Sequence, residues 1–243
     1  NIDEKILTNK QLNQNLENTL RLLYNSWFEK FECYDKTNGM IEDFEFGSIP
    51  KNWNAEMLYD YVNFVTGVEP GSKNYHETFE EGLIPFIRVG DLSSRDNMIF
   101  IDETLSKNKI IVPEDIVLSL DATVGIVKIG LSGSYSTGIR KLVIKNNKIN
   151  KSFLFCLIKS NRIQRIINLY ATGTTILHAS KSVKHINFIL PEKEFMNKFN
   201  LIGQPILSKL LNNLEEISKL TKLRDILLPK LMSGEIDVSN VEI

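Results

Sequence analysis

The sequence predicts an α+β fold in which a mixed helix-and-strand domain sits between two long helices. Three observations carry the prediction. Two stretches, 3–31 and 205–228, repeat their large apolar residues at steps of three and four, as helices with one buried stripe do. Between them, residues 61–144 divide into short β-branched or aromatic runs separated by Gly, Pro, Asn and Ser. Charge is also segregated along the chain. Residues 122–191 hold eleven Lys and Arg and no acid, a formal +11, whereas residues 1–121 hold 22 acids and 11 bases, and residues 192–243 hold 8 acids and 7 bases. The net charge of −1 thus conceals a polarised chain.

The first long helix is expected over 3–31. Leu12, Leu16, Leu20, Leu23, Trp27 and Phe31 form a narrow seam with Asn, Gln, Glu and Lys between them. That seam suits a coiled coil or an amphipathic helix lying on a domain, and periodicity leaves both readings open. At 1.5 Å per residue the helix would be roughly 40 Å long. Residues 33–52 read as an acidic linker broken by Asn38-Gly39, a turn pair. Trp53 and Leu58 then begin a core. Strands are expected at 61–65, 84–89, 98–101, 116–120, 124–129, 139–144 and 186–190. Polar loops lie at 91–97, 132–138 and 171–182. Residues 150–170 read as one helix, with Phe153, Leu154, Leu157, Ile158, Ile166, Ile167 and Tyr170 inward. The second long helix is expected over 205–228 through Leu207, Leu210, Leu214, Ile217, Leu220, Leu223 and Leu227, with Pro229 as its stop. It would span roughly 36 Å, near the ~34 Å of one DNA turn. A weak internal repeat relates Asn15-Leu16-Glu17 to Asn213-Leu214-Glu215, as two related helices flanking one unit would show.

Composition narrows the function classes. The 42% hydrophobic content fills an ordinary core. Cys33 and Cys156 stand far apart and outside any CxxC spacing, so neither a disulfide framework nor a zinc site is expected, and a reducing compartment is. The N-terminus does not read as a signal peptide, and no apolar run is long enough to span a bilayer. A cytoplasmic protein without membrane association is expected. The phosphate loop G-x-x-x-x-G-K-[S/T], the dinucleotide signature G-x-G-x-x-G and the nucleophile elbow G-x-S-x-G are all missing. His76, His178 and His185 lack metal spacing, and the basic stretch has no carboxylate to hold a metal. No catalytic residue, metal or cofactor is expected. A concentrated positive segment attracts a polyanion, DNA first, because neutralised phosphates release counterions. The competing reading is that these charges scatter over several faces once the chain folds.

Several motifs carry a family resemblance. Leu220-Thr221-Lys222-Leu223-Arg224-Asp225-Ile226-Leu227-Leu228-Pro229-Lys230-Leu231-Met232-Ser233-Gly234-Glu235-Ile236 resembles the end of a conserved helix in specificity subunits of type I restriction–modification systems. Gly47-Ser48-Ile49-Pro50-Lys51-Asn52-Trp53 is similar to the entry of their target recognition domains. Ile84-Pro85-Phe86-Ile87-Arg88-Val89-Gly90-Asp91-Leu92 resembles their IPFIR-x-GDL run. Glu114-Asp115-Ile116-Val117-Leu118-Ser119 with Thr123 and Gly125 resembles their GDIL-S…GT-x-G segment, with Glu114 and Ala122 where glycines are expected. Gly173-Thr174-Thr175-Ile176 is similar to a late Gly-Thr turn, and residues 15–28 resemble the central helix.

The resemblance implies one target recognition domain at 47–196, built on a twisted sheet. It is flanked by long helices at 1–32 and 197–236 that form an antiparallel coiled coil, with a linker at 33–52 and a tail at 237–243. That arrangement is half of a full subunit. The implied activity is reading one half of a bipartite sequence in double-stranded DNA. The helices would serve as a ruler and as a platform for adenine-methyltransferase modification subunits, and in some complexes a restriction subunit. The seam candidates for the helix interface are Leu16, Leu20, Leu23, Trp27, Leu210, Leu214, Ile217, Leu223 and Leu227. A homodimer through the helices would supply a second reader. Candidate base readers are Arg88, Ser93, Arg95, Ser136, Thr137, Arg140, Thr174, Thr175, His178 and Lys181. Lys141, Lys184, Arg162 and Arg165 are candidates for phosphate contacts. Arg140 and Lys141 are neighbours on a strand, so at most one of them faces DNA. The alternative is an oligomeric coiled-coil protein whose basic domain binds RNA or an acidic protein.

Overall fold

The computed structural model describes residues 1–94, 98–173 and 177–235. Helix α1 runs Ile2–Tyr24 and opens with a capping box, in which the Asn1 side chain accepts from Glu4 N and the Glu4 side chain returns to the Asn1 amine. The expected helix over 3–31 therefore ends early as an α-helix. A π-helical turn, Asn25–Glu29, takes over, closed by Lys30 N donating to Asn25 O at 2.9 Å. The extra residue turns the aromatic side chains off the seam and onto the domain. Phe28 lies 5.0 Å, centroid to centroid, from both Phe153 and Phe199, and 5.8 Å from Trp53. Phe31 has φ of +56° and packs edge-on against Trp53 at 5.5 Å. This joint fixes the helices to the domain through large apolar areas.

The stretch read as a linker contains a hairpin, β1 (Met40–Asp43) with β2 (Gly47–Pro50), antiparallel. Trp53 and Leu58 are buried, as expected. The domain then lays out β3 (Asn54–Met57), β4 (Val62–Thr66), β5 (Leu83–Ile87), β6 (Ile99–Asp102), β7 (Ile110–Ile111), β8 (Ile116–Ser119), β9 (Val127–Lys128), β10 (Gly133–Tyr135) and β11 (Ile139–Ile144). One sheet has the order β6-β5-β10-β7, and β10 pairs with β5 in parallel. The other, β4-β11-β8-β9, is antiparallel throughout. β11 covers the expected 139–144 because Ile139, Arg140, Lys141 and Leu142 pair with β8 on one side and Arg140 through Ile144 pair with β4 on the other.

The expected helix over 150–170 is two helices, α2 (Lys151–Lys159) and α3 (Asn161–Leu169). Ser160 divides them. It is extended, ends α2, and caps α3 by accepting from Ile163 N. The chain then forms β12 (Asn187–Leu190), which pairs with β3, and enters α4, Lys193–Met232. α4 is 40 residues long, about 60 Å, and not the expected 205–228 of roughly 36 Å. The comparison with one DNA turn fails with it. Both Pro205 and Pro229 lie inside the helix. Pro205 is tolerated because Phe199, Gly203, Leu207 and Leu210 around it are buried, and that packing outweighs one lost backbone bond. Gly203 permits the close approach of α2: a Cβ there would come within 2.9 Å of Ser152 Oγ.

α1 and α4 run antiparallel. Asp3 pairs with Arg224 at 3.2 Å, Asn9 Nδ2 donates to Glu216 at 2.9 Å, Asn213 Nδ2 donates to Asn13 at 2.8 Å, and Trp27 meets Phe199 at 6.0 Å. Leu20, Leu207 and Leu210 are buried in this seam, and Leu16, Leu23, Trp27 and Leu214 pack against it half-buried. Ile217 and Leu227 are also half-buried, whereas Leu223 is 45% exposed and Leu12 is 37% exposed. The stripe actually buried on α1 is Ile6, Asn9, Asn13, Leu20 and Tyr24, so two of its positions are polar.

Candidate nucleic-acid interface

Four loops meet at one end of the two sheets. The loop from β8 to β9 is wound tightly on Ser119, whose Oγ accepts from Ile126 N at 2.8 Å and donates to Thr123 O. At its tip Ala122 adopts φ of +57°, the left-handed conformation a glycine would take without strain. The family motif has glycine there. Glu114, at the other expected glycine, keeps a negative φ, so a side chain costs nothing. The tip is tied to the turn before β11 by Leu120 N to Gly138 O at 2.9 Å. Two further bonds, Ala122 N to Leu177 O at 2.8 Å and Ala179 N to Leu120 O at 2.7 Å, tie it to the loop after α3. The end of β10 joins the end of β5 through Ser136 N and Ile87 O at 2.9 Å. Gly138 sits against Val89, so the loop after β5 closes the group.

These loops bring together Arg88, Ser93, Ser136, Thr137, Arg140, His178 and Lys181, seven of the ten candidate base readers. The other three, Arg95, Thr174 and Thr175, lie outside the described residues. The gathered side chains differ in what is left to read with. Arg88 makes a two-pronged contact with Asp91, Nε to Oδ2 at 3.0 Å and Nη2 to Oδ1 at 2.9 Å; the short turn Gly90–Leu92 brings the acid back. That hydrogen bonding raises the Arg88 pKa above its usual value. Arg140 donates to Thr137 O, to Ile139 O at 3.3 Å and to Ser180 Oγ at 2.7 Å. It staples the start of β11 to the short helix Ser180–His185, and burial lowers its pKa. His178 is exposed and holds Asp121 through Nδ1 at 2.8 Å. Ser93 and Lys181 are exposed, while Ser136 and Thr137 are half-buried.

The phosphate candidates separate. Lys184 is exposed and near Lys181, and neither makes an ion pair among the described residues. Lys141 points away from Arg140, as strand alternation requires, and is held by Asp115 at 2.8 Å and Ile110 O at 3.0 Å. Arg162 and Arg165 line a different cleft of about 500 Å³ between the end of α1, α3 and β12. Arg162 bonds Glu45 at 2.7 Å and Asn187 at 2.8 Å and lies 3.9 Å over the Phe46 ring. Lys159 pairs with Glu17. Acids from the first half of the chain thus neutralise part of the basic stretch: Asp115, Glu17 and Glu45 take up Lys141, Lys159 and Arg162. Asp121 and Ser180 belong to the site and were not singled out in the sequence. Asp121 stands one residue before the acid-free stretch, so counting charge by segment assigned it to the acidic half.

Among the described residues no group of three or more His, Cys, Asp and Glu could hold a metal ion. His185 is stacked on Tyr170 at 4.0 Å. No described helix is long and apolar enough to cross a membrane.

A sheet domain whose loops converge on one end, carried at the base of an antiparallel helix pair, is the build of a module that presents a recognition surface on a rigid stalk. The type I restriction modification DNA specificity domain matches residues 50–226, and the chain belongs to that family. It is similar to the type I restriction enzyme MjaIX specificity subunit of Methanocaldococcus jannaschii, with 27% identity over 98% of this chain and 57% of that one. It is also similar to the HindI specificity subunit of Haemophilus influenzae, with 24% identity over 97% of this chain and 65% of that one. The fold is shared with the S subunit of a type I restriction–modification system from M. genitalium (TM-score 0.56, 19% identity, 95% of this chain and 56% of that one). It is shared too with the HsdS subunit of Thermoanaerobacter tengcongensis (TM-score 0.50, 16% identity, 97% and 55%). The chain therefore spans little more than half the length of most of these relatives.

Proposed function

We propose that this chain reads one half of a split duplex DNA sequence and leaves the chemistry to other polypeptides. The observation that carries the reading is the convergence of the four loops around Arg88, Thr137, Arg140 and His178, with Lys181 and Lys184 uncommitted beside them. Ser, Thr and His side chains there can reach base edges in a groove, while Lys184, and Lys181 in place of the base contact expected of it, meet phosphates. In this reading residues 47–196 are the recognition domain, and the helices of 1–32 and 197–236 are the strut. The strut sets the distance to a second reader and offers adenine-methyltransferase modification subunits, and a restriction subunit, a place to dock. The second reader is supplied by another copy of the chain through the helices, so the combined site is a split palindrome. The setting is the cytoplasm, where the host DNA is.

The test is selection from random duplexes with the purified chain, followed by methylation assays with modification subunits added. The expected result is one short motif for the chain, and methylation at a two-part site only in the mixture. Retention of RNA or acidic protein in preference to duplex DNA would replace this reading with that of a coiled-coil protein carrying a basic domain. Sedimentation as a strict monomer at high concentration would remove the homodimer and leave the half-site reader.

A further inference from the structure

The loop cluster contains a carboxylate, Asp121, whose partner at hydrogen-bond distance is an exposed histidine and not a Lys or Arg. Asp121 is mostly buried, with 22% of its side chain exposed, and its Oδ1 lies 2.8 Å from Nδ1 of His178, whose own side chain is 61% exposed. The backbones of the two residues also bridge, and the flanking bonds of Ala122 and Ala179 hold both chains in place. Arg140 is the cation that could have claimed this carboxylate. Its hydrogen bonds go elsewhere, to Thr137 O, Ile139 O and Ser180 Oγ, so it acts on Asp121 through charge alone and the hydrogen bond is left to the imidazole. Gly138 makes room for the arrangement, since a Cβ there would come within 3.2 Å of the Asp121 Cβ. Nε2 of His178 meets no partner among the described residues.

We propose that Asp121 is a positioning residue for base reading: it accepts a hydrogen bond from Nδ1–H of His178, holding the ring proton on that nitrogen and leaving Nε2 bare, as an acceptor for an exocyclic amino group. A carboxylate accepts and cannot donate, so the nitrogen facing it must be the protonated one. The other nitrogen of a neutral ring is then an acceptor, as in any imidazole whose tautomer is set by its neighbour. In the major groove the matching donors are adenine N6 and cytosine N4, while guanine presents acceptors at the same edge. The inference deepens the DNA-reading proposal and rests on it for its ligand. The tautomer itself does not.

Two measurements separate these dependencies. Nitrogen-15 spectra of the imidazole in the protein alone should show a proton on Nδ1 and a bare Nε2 at neutral pH. Asp121→Ala should return the ring to a state with the proton on Nε2, and Asp121→Asn, whose carbonyl still accepts, should retain the bare Nε2. A wild-type spectrum with Nε2 protonated, alone or together with Nδ1, overturns the proposal without reference to DNA. In duplex selection, one position of the motif should prefer adenine or cytosine over guanine. Asp121→Ala and His178→Ala should each lower that preference about tenfold, the value of one hydrogen bond, and the double variant should lower it no further. An unchanged motif in both single variants overturns the inference while leaving the DNA reading intact. A wild-type chain that selects no motif is the failure of the DNA reading itself.

Discussion

Ala122 carries φ of +57° at the tip of the β8–β9 loop, and its amide is committed to Leu177 O. An L-residue in this conformation costs about 1–2 kcal/mol, and glycine removes that cost while loosening the unfolded chain by up to about 1 kcal/mol. Ala122→Gly should therefore stabilise the protein by about 0.5–1 kcal/mol, raising its Tm by about 2 °C for a chain of this size. Thermal unfolding checks it, and a lowered Tm would mean that the methyl group packs usefully. A second consequence at this scale is alkaline sensitivity. Burial pushes the Cys156 thiol from 9.0 up to about 12, burial pushes the Tyr135 hydroxyl from 10.0 up to about 12, and burial also raises Tyr24. The folded state keeps these protons where the unfolded chain has released them. Stability is then fully present below pH 9 and is lost as pH rises from about 9 to about 12. Urea midpoints measured across that range should fall steadily. Cys156→Ser should not be used to isolate the thiol, because it leaves a buried hydroxyl. Cys156→Ala flattens part of the slope.

At the scale of elements, the helix seam was legible wherever it is apolar and illegible wherever it is polar. Leu20, Leu207 and Leu210 are in the seam because burying them is favourable, and their spacing announces it. Asn9 and Asn13 occupy the same stripe yet carry no apolar signal. They are buried against α4, where Asn9 donates to Glu216 and Asn13 Oδ1 accepts from Asn213, while the Asn13 Nδ2 finds no partner among the described residues; these are facts about a partner some 200 positions away. Leu12 and Leu223 mislead in the opposite direction, being apolar and exposed. Buried asparagines in a helix pair fix register at a cost in stability. Asn213→Leu alone should destabilise by about 1–3 kcal/mol, since it strands the Asn13 side chain against an apolar wall. The pair Asn13→Leu with Asn213→Leu should recover most of that loss, giving a coupling of about 1 kcal/mol or more in a double-mutant cycle. Equal and additive losses in denaturant would show that the two side chains act independently. The strands divide in the same way. β11 matched its expected bounds because it is paired on both sides, whereas β7 and β10, two and three residues long, exist through pairing with each other and with β5. The helix was expected to begin only at 205 and to stop at Pro229; it runs through both prolines, and around Pro205 the packing of Phe199, Gly203 and Leu207 overrides the local steric rule.

For the whole molecule, the question is which of the eleven cations in 122–191 remain to meet a polyanion. Sequence alone placed them on one segment, and folding redistributes them. Lys141, Lys159 and Arg162 are held by Asp115, Glu17 and Glu45, two of them by acids that lie more than 100 residues earlier. Lys181 and Lys184 stand beside the loop cluster with no ion pair among the described residues. Both features predict salt dependence. Each phosphate neutralised contributes about 0.9 to the slope of log affinity against log salt. Reversing Lys181 and Lys184 together to Glu should lower that slope by about 2 and weaken binding to all duplexes alike, with the motif retained. Reversing Lys141 to Glu should leave the slope unchanged and instead destabilise the domain, because it places two carboxylates together at a half-buried site where Asp115 now has a cation at 2.8 Å. Titrations at several salt concentrations, paired with urea melts of the same variants, distinguish the two groups. If the Lys141 variant lost salt dependence while keeping its stability, the phosphate path would run along the outer face of β11, and the loop cluster would no longer mark where the DNA lies.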